Sequence, residues 1–216
     1  MGDDDVLSPN FVAEFFKHED QIEQNGIDVV RYATQVIDEH NEKRSKIHTH
    51  PPIENAINFL FRKFSGGSRS SLSEFIFRKK DVQKIEFKQF PLAWHSDDLA
   101  ILEFSKWKNI YTINESVVFF RNSGINITSS SSNMREKNKA SFLFYFYLLK
   151  RHHNVFTKNQ IEILTHRLEQ TLLNDKRQFN FLNKYIGLKL RNKDWKFFFG
   201  FFRRWIKSVA TRTSRV

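Results

Sequence analysis

Two acidic clusters hold the residues best suited to chemistry, Asp3-Asp4-Asp5 near the start of the sequence and Asp97-Asp98 behind Ser96. Adjacent carboxylates on a turn can ligate a hard divalent cation such as Mg²⁺ or Mn²⁺, which in turn binds a diphosphate and stabilises the charge on a departing one. A further carboxylate beside such a site can take a proton from a hydroxyl. Each cluster also has a plain structural reading. The first is then a solvated acidic terminus, and the second is a helix start with Ser96 as the cap and two acids in the first turn. The chain has no cysteine, so oxygen or imidazole ligands must hold any metal. The pairs His48/His50 and His152/His153 lack a third ligand at zinc-like spacing. Ser65-Gly66-Gly67-Ser68 has neither the spacing nor the Lys-Ser/Thr of a phosphate-binding loop.

The elements that must position these residues follow from local pattern. Phe11, Val12, Phe15, Phe16 and Ile22 form a helical stripe that Ser8-Pro9 opens and Asn25-Gly26 closes. Val30, Tyr32, Thr34 and Val36 alternate along a β-branched run from 27 to 37, which predicts a strand. A polar loop leads to a helix over 53–64. A short strand is expected at 73–77, a short helix at 80–85, and a loop at 90–95. A helix capped by Ser96 runs to 105. Two short strands are expected at 110–113 and 117–120, and a mobile Ser-rich loop at 123–132. Beyond 133 the chain is helical: an aromatic helix at 139–151, a capping box at Thr157 and Gln160 before the next, then 179–190 and 195–206. Strands and helices alternate and then helices alone follow, which predicts an α/β domain over 1–132 and a helical extension over 133–216.

Charge narrows the partners. The net charge is +11, and from Lys184 to Val216 ten Lys/Arg stand against the single acid Asp194. Trp195, Phe197, Phe198, Phe199, Phe201, Phe202 and Trp205 alternate with Lys196, Arg203, Arg204 and Lys207, a composition suited to an interfacial helix on an anionic membrane or to a docked helix with a solvated basic face. The longest apolar runs fall far short of the roughly 20 residues that span a bilayer. A non-catalytic basic module for nucleic acid or membrane is therefore the alternative to an enzyme.

The motifs also stand in a familiar order. Gly2-Asp3-Asp4-Asp5-Val6-Leu7-Ser8-Pro9-Asn10 resembles the Asp-x-Asp segment of the bacterial family 2 glycosyltransferases. Phe90-Pro91-Leu92-Ala93-Trp94-His95-Ser96-Asp97-Asp98 resembles their later acidic pair. Ser73 to Arg78 is similar to the strand lining their acceptor side, and Ile110 to Ile113 with Phe120 to Thr128 resembles their final strand and loop. The resemblance covers about residues 1–132 and implies a GT-A-like mixed sheet and inverting transfer of a sugar from a nucleotide-diphospho-sugar to a saccharide or lipid-linked hydroxyl, in cell-surface polysaccharide or lipopolysaccharide synthesis. The absence of cysteine is compatible with a cytoplasmic setting, and the composition of residues 195–207 suits contact with the inner face of the membrane. The resemblance implies a divalent cation on Asp3, Asp4 and Asp5, Asp98 as general base and Asp97 as orienting acid. Trp94, His95 and Glu74 would border the acceptor, and Arg121 would sit near the diphosphate. The family's nucleotide-binding half precedes its Asp-x-Asp segment, and here only Met1 and Gly2 do. The expectation is thus a truncated transferase, in one version inactive, whose 216 residues show no micromolar binding of UDP- or GDP-sugars by calorimetry.

Overall fold

A computed structural model describes residues 4–122, 133–176, 178–191 and 199–206. The chain is mixed α/β and divides into two compact units, one of residues 1–89 and 95–132 and one of residues 90–94 and 133–216. The Ser-rich loop at 123–132, residues 195–198 and Lys207 lie outside the described residues.

The first unit is built on a five-stranded sheet. Its strands are β1 (Val6–Leu7), β2 (Val29–Ile37), β3 (Ile53–Asn55), β4 (Phe75–Phe77) and β5 (Asn109–Arg121). The strands run in the order β1-β5-β2-β4, and β3 also pairs with β5. The central pair β2 and β5 is parallel and the other pairings are antiparallel. Helix α1 (Phe11–Gln24) lays its apolar stripe on the sheet. Ile22, Ile27, Val30, Tyr32, Tyr111, Ile113 and Val118 close into a core, with Leu7, Phe11 and Phe15 against it. Gly26, at φ +60°, ends the helix in a conformation that a side chain resists. Helices α2 (Ala56–Phe64), α3 (Lys79–Ile85) and α4 (Ser96–Phe104) complete the unit. Phe77 and Phe87 both meet the buried Phe104 edge-on, at 5.1 and 5.0 Å.

Four local expectations need correction. Residues 109–121 form one strand rather than two, because the polar Asn114-Glu115-Ser116 is absorbed where the β2–β5 register shifts beside Tyr32. The helix expected over 53–64 begins only at Ala56. Ile53–Asn55 is a strand, and the Asn55 side chain caps α2 by accepting from the Ile57 N–H. Ser8 does not cap α1. Its hydroxyl bonds Ser116 and accepts from the Val117 N–H, tying the chain to β5. Ser96 lies inside α4, and His95 occupies the cap position.

In the second unit α5 (Met134–Arg151), α6 (Lys158–Asn174) and α7 (Phe179–Arg191) pack around Phe142, Phe144, Leu148, Leu164, Leu168 and Tyr185. Phe142 stacks on Phe181 at 4.2 Å. The buried Glu169 accepts from Tyr185 Oη and Arg204, each at 2.5 Å. Residues 199–206 are helical and bury Phe201. The capping box at Thr157 and Gln160 is present on both sides. Thr157→Ala is expected to lower stability by about 1 kcal/mol, read as a shifted urea midpoint with an unchanged slope. No helix among the described residues is long and apolar enough to cross a membrane.

Candidate active site

The acidic pair opens α4. Positive φ angles at Leu92, Ala93 and His95 turn the chain sharply before it, and such non-glycine residues are strained conformations that cluster at functional sites. Asp98 is 4% exposed. Its Oδ1 accepts from Lys63 Nζ at 2.6 Å, and its Oδ2 lies 2.8 Å from His95 Nδ1. Lys63 stands in the last turn of α2. Burial works against the charge of Asp98, but the Lys63 ammonium and the His95 ring outweigh it and hold the carboxyl well below the usual carboxylate range. Burial likewise opposes the charge of Lys63, but Asp98 and Asp97 overcome it and raise the ammonium above its ordinary value. Asp97 differs. Its side chain is 26% exposed, and its nearest cation is Lys63 at 3.9 Å. Burial, together with the charge of Asp98, pushes its carboxyl up.

Glu74 belongs to the same neighbourhood. It ends a short 3-10 turn that feeds β4 and is fully buried. Its Oε2 accepts from the Ser71 N–H at 3.0 Å and the Ser71 hydroxyl at 3.2 Å, while Oε1 has no partner. Burial pushes its carboxyl up to about 7, against the pull of Ser71, Arg31 and Arg69. Its charge also acts on Lys63. The preceding residue, Ser73, donates its hydroxyl to Asp5. Asp97 and Asp98 thus share Lys63, on which the charge of Glu74 also acts, while Asp5 is bonded to Ser73, the chain neighbour of Glu74.

Other expected site residues stand elsewhere. The Arg121 N–H donates to Asp5 Oδ1 at 3.0 Å, and its guanidinium bonds the carbonyls of Asp4, Asp38 and Glu39 and the Asn41 side chain. It clasps the turn after β2 to the start of β1. Trp94 belongs to the second unit, with the Lys137 ammonium 5.0 Å above its ring. Asp3 lies outside the described residues. Both oxygens of Asp5 accept hydrogen bonds, and no three His, Asp or Glu among the described residues gather into a metal-ligand group.

Arg31, Glu54 and Arg62 were not singled out in the sequence, and His50 only as one of a histidine pair without a third zinc ligand. Arg31, in mid-strand β2, is fully buried and donates Nη2 to Glu54 at 3.1 Å and Thr112 at 2.9 Å. Arg62 grips Glu54 with two bonds of 2.7 Å and reaches His50 Nδ1 at 3.1 Å. A signal was available, since a charged residue inside Val29-Val30-Arg31-Tyr32-Ala33 interrupts a run that otherwise reads as core.

Compared with known protein families and with curated proteins, the chain matches no family and no individual protein.

Proposed function

We propose that the first unit carries the acceptor side of a nucleotide-sugar-dependent, inverting glycosyltransferase of the GT-A type. The observation that supports this is the cluster itself. Asp97 and Asp98, which the resemblance singled out, share Lys63, and the charge of Glu74, singled out from a separate segment, acts on the same ammonium. A set of solvated helix-capping acids has no need of that convergence.

The surroundings favour a division of roles within the acidic pair. Both oxygens of Asp98 are engaged by Lys63 and His95, so it must release one of them before it can take a proton. Asp97 is the more exposed and the more basic, and a base works best when its pKa approaches the working pH. Asp97 then accepts the proton of a saccharide or lipid-linked hydroxyl as that oxygen attacks the anomeric carbon. The bond from that carbon to the diphosphate oxygen breaks on the opposite face, which inverts the configuration. Asp98 is the positioning residue that fixes Lys63 and His95.

The test supplies a panel of UDP-, GDP- and dTDP-hexoses with saccharide acceptors to the protein in its longest reading frame, with anomeric configuration followed by proton NMR. The expected product carries the inverted linkage. Nucleotide-sugars left unconsumed throughout the panel, or a retained linkage, would sink the reading.

A further inference from the structure

Six residues around β2, the 3-10 turn and the loop that follows α2 carry buried polar atoms without a hydrogen-bond partner. They are Arg31 (Nε and Nη1), Arg69 (Nη1), His50 (Nε2), Thr34 (Oγ1), Ser70 (Oγ) and Glu74 (Oε1). Buried polar groups in native proteins are nearly always paired, so a concentration of unpaired ones asks for an explanation. Arg31, Arg69, Glu74 and His50 are close enough to act on one another, and Ser70 adjoins Ser71, which bonds Glu74, whereas Thr34 alternates onto the opposite face of β2 beside Val118. Arg31 and Arg69 both influence the charge of Glu74, and Arg31 and Arg62 that of His50.

Donors dominate the set. Burial, with Arg31 and Arg62 nearby, drives the His50 imidazole down to about 3, so the ring is neutral. Its Nδ1 lies 3.1 Å from the Arg62 guanidinium, which can only donate, and Nε2 must then carry the ring hydrogen. Three unused guanidinium nitrogens, one imidazole N–H and the Ser70 hydroxyl thus stand against a single unused acceptor on Glu74. The charges agree. Arg62 holds Glu54 through two bonds and Arg31 bonds the same carboxylate, so Glu54 and Glu74 stand against the three guanidiniums of Arg31, Arg62 and Arg69. Arg31 is fully enclosed, whereas Arg69 and Ser70 are half-buried on the loop after Gly66-Gly67, so the set opens toward that loop.

We propose that Arg31 and Arg69, assisted by Ser70 and His50, form a binding site for an oxyanion group, a carboxylate or a phosphate. Guanidinium N–H donors suit both, because hydrogen bonds from a cation to an oxyanion are the strong ones. The site rests on its own donors and does not depend on glycosyl transfer, although an acidic acceptor would engage it and the neighbouring acids together. Glu74 tunes it. The groups facing that carboxyl are Arg31 from β2, Arg69 and Ser71 from the loop, and Lys63 from α2. Protonation of Glu74 removes a negative charge that competes with the ligand for both Arg31 and Arg69.

The test titrates the 216-residue chain by calorimetry with inorganic phosphate, glucuronate and, as a neutral control, glucose. Saturable binding of either anion is expected, and phosphate alone or glucuronate alone identifies which oxyanion the site takes. Arg69→Gln, on the loop, is expected to weaken binding by about tenfold or more, the usual effect of losing a charge-assisted hydrogen bond. Lys17→Ala, on the exposed face of α1, leaves it unchanged. Glucuronate, whose own charge is constant there, should bind more tightly at pH 6 than at pH 8, and Glu74→Gln should abolish that difference. Absence of binding by both anions, equal binding of glucose, or undiminished affinity in a folded Arg69→Gln protein overturns the proposal.

Discussion

Asp98→Ala is expected to lower the unfolding free energy by about 3 kcal/mol, enough to take a large share of a typical domain's stability. Truncation leaves the Lys63 ammonium without its 2.6 Å partner and the His95 ring without its acceptor. Removing one member of a buried ion pair costs about 3–5 kcal/mol. The lower end applies because the Lys63 side chain is 24% exposed and Asp97 lies 3.9 Å away. The complementary result separates an unpaired charge from lost packing. Lys63→Met combined with Asp98→Leu is expected to recover most of the loss, since well-packed apolar pairs replace buried ion pairs at little cost. Urea unfolding followed by circular dichroism measures both. The sign with pH follows from the direction of the shift. A carboxyl whose folded pKa is depressed contributes stability above its unfolded value of about 3.9 and loses it as pH falls through the folded value. Wild type and Asp98→Ala should therefore converge in acid and stay apart at neutral pH. A neutral-pH difference below 1 kcal/mol would show that Lys63 is satisfied without Asp98.

Glu74→Gln is expected to act in the opposite direction and to stabilise the protein on the order of 3 kcal/mol at pH 8. Here the folded pKa is raised, from 4.5 to about 7. Between those values the native state binds more protons than the unfolded chain, so stability falls as pH rises. Below pH 4.5 the penalty is absent, and above pH 7 it is complete. Glutamine keeps an oxygen to accept from Ser71 and removes the charge, so the variant should match wild type in acid and exceed it in base. Thermal melts at pH 4.5 and pH 8 check this. If wild type is as stable as Glu74→Gln at pH 8, the Arg31 and Arg69 charges compensate Glu74 fully, and its burial carries no penalty.

The backbone was legible where one force dominates. Helix α1 follows from its apolar stripe and Gly26, and β2 from its β-branched alternation. The α6 start follows from Thr157 and Gln160. The misread segments are those where long-range pairing overrides local chemistry. Asn114-Glu115-Ser116 looks like a turn, yet β2 holds it in one strand. Ile53–Asn55 fits a helix, but pairs with β5. The candidate site was half visible. Carboxylates at 97 and 98 declare themselves by type and position, as does Glu74 within its motif. Lys63 does not, because a lysine in the last turn of a helix is what the helix dipole alone would select. Nothing local tells that its ammonium reaches an acid thirty-five residues away. The division of labour between Asp97 and Asp98 is likewise a property of packing, since the two differ in burial and partners and not in type.

The central claim, that the cluster at the head of α4 performs sugar transfer with Asp97 as the proton acceptor, is tested most directly by the transfer rates of wild type and Asp97→Asn. Both are measured side by side in the longest reading frame, at saturating donor and acceptor. Loss of a positioned base lowers the rate by about 10²–10⁴-fold, and that loss is expected without a fall in melting temperature. A folded Asp97→Asn protein that transfers sugar at the wild-type rate would contradict it.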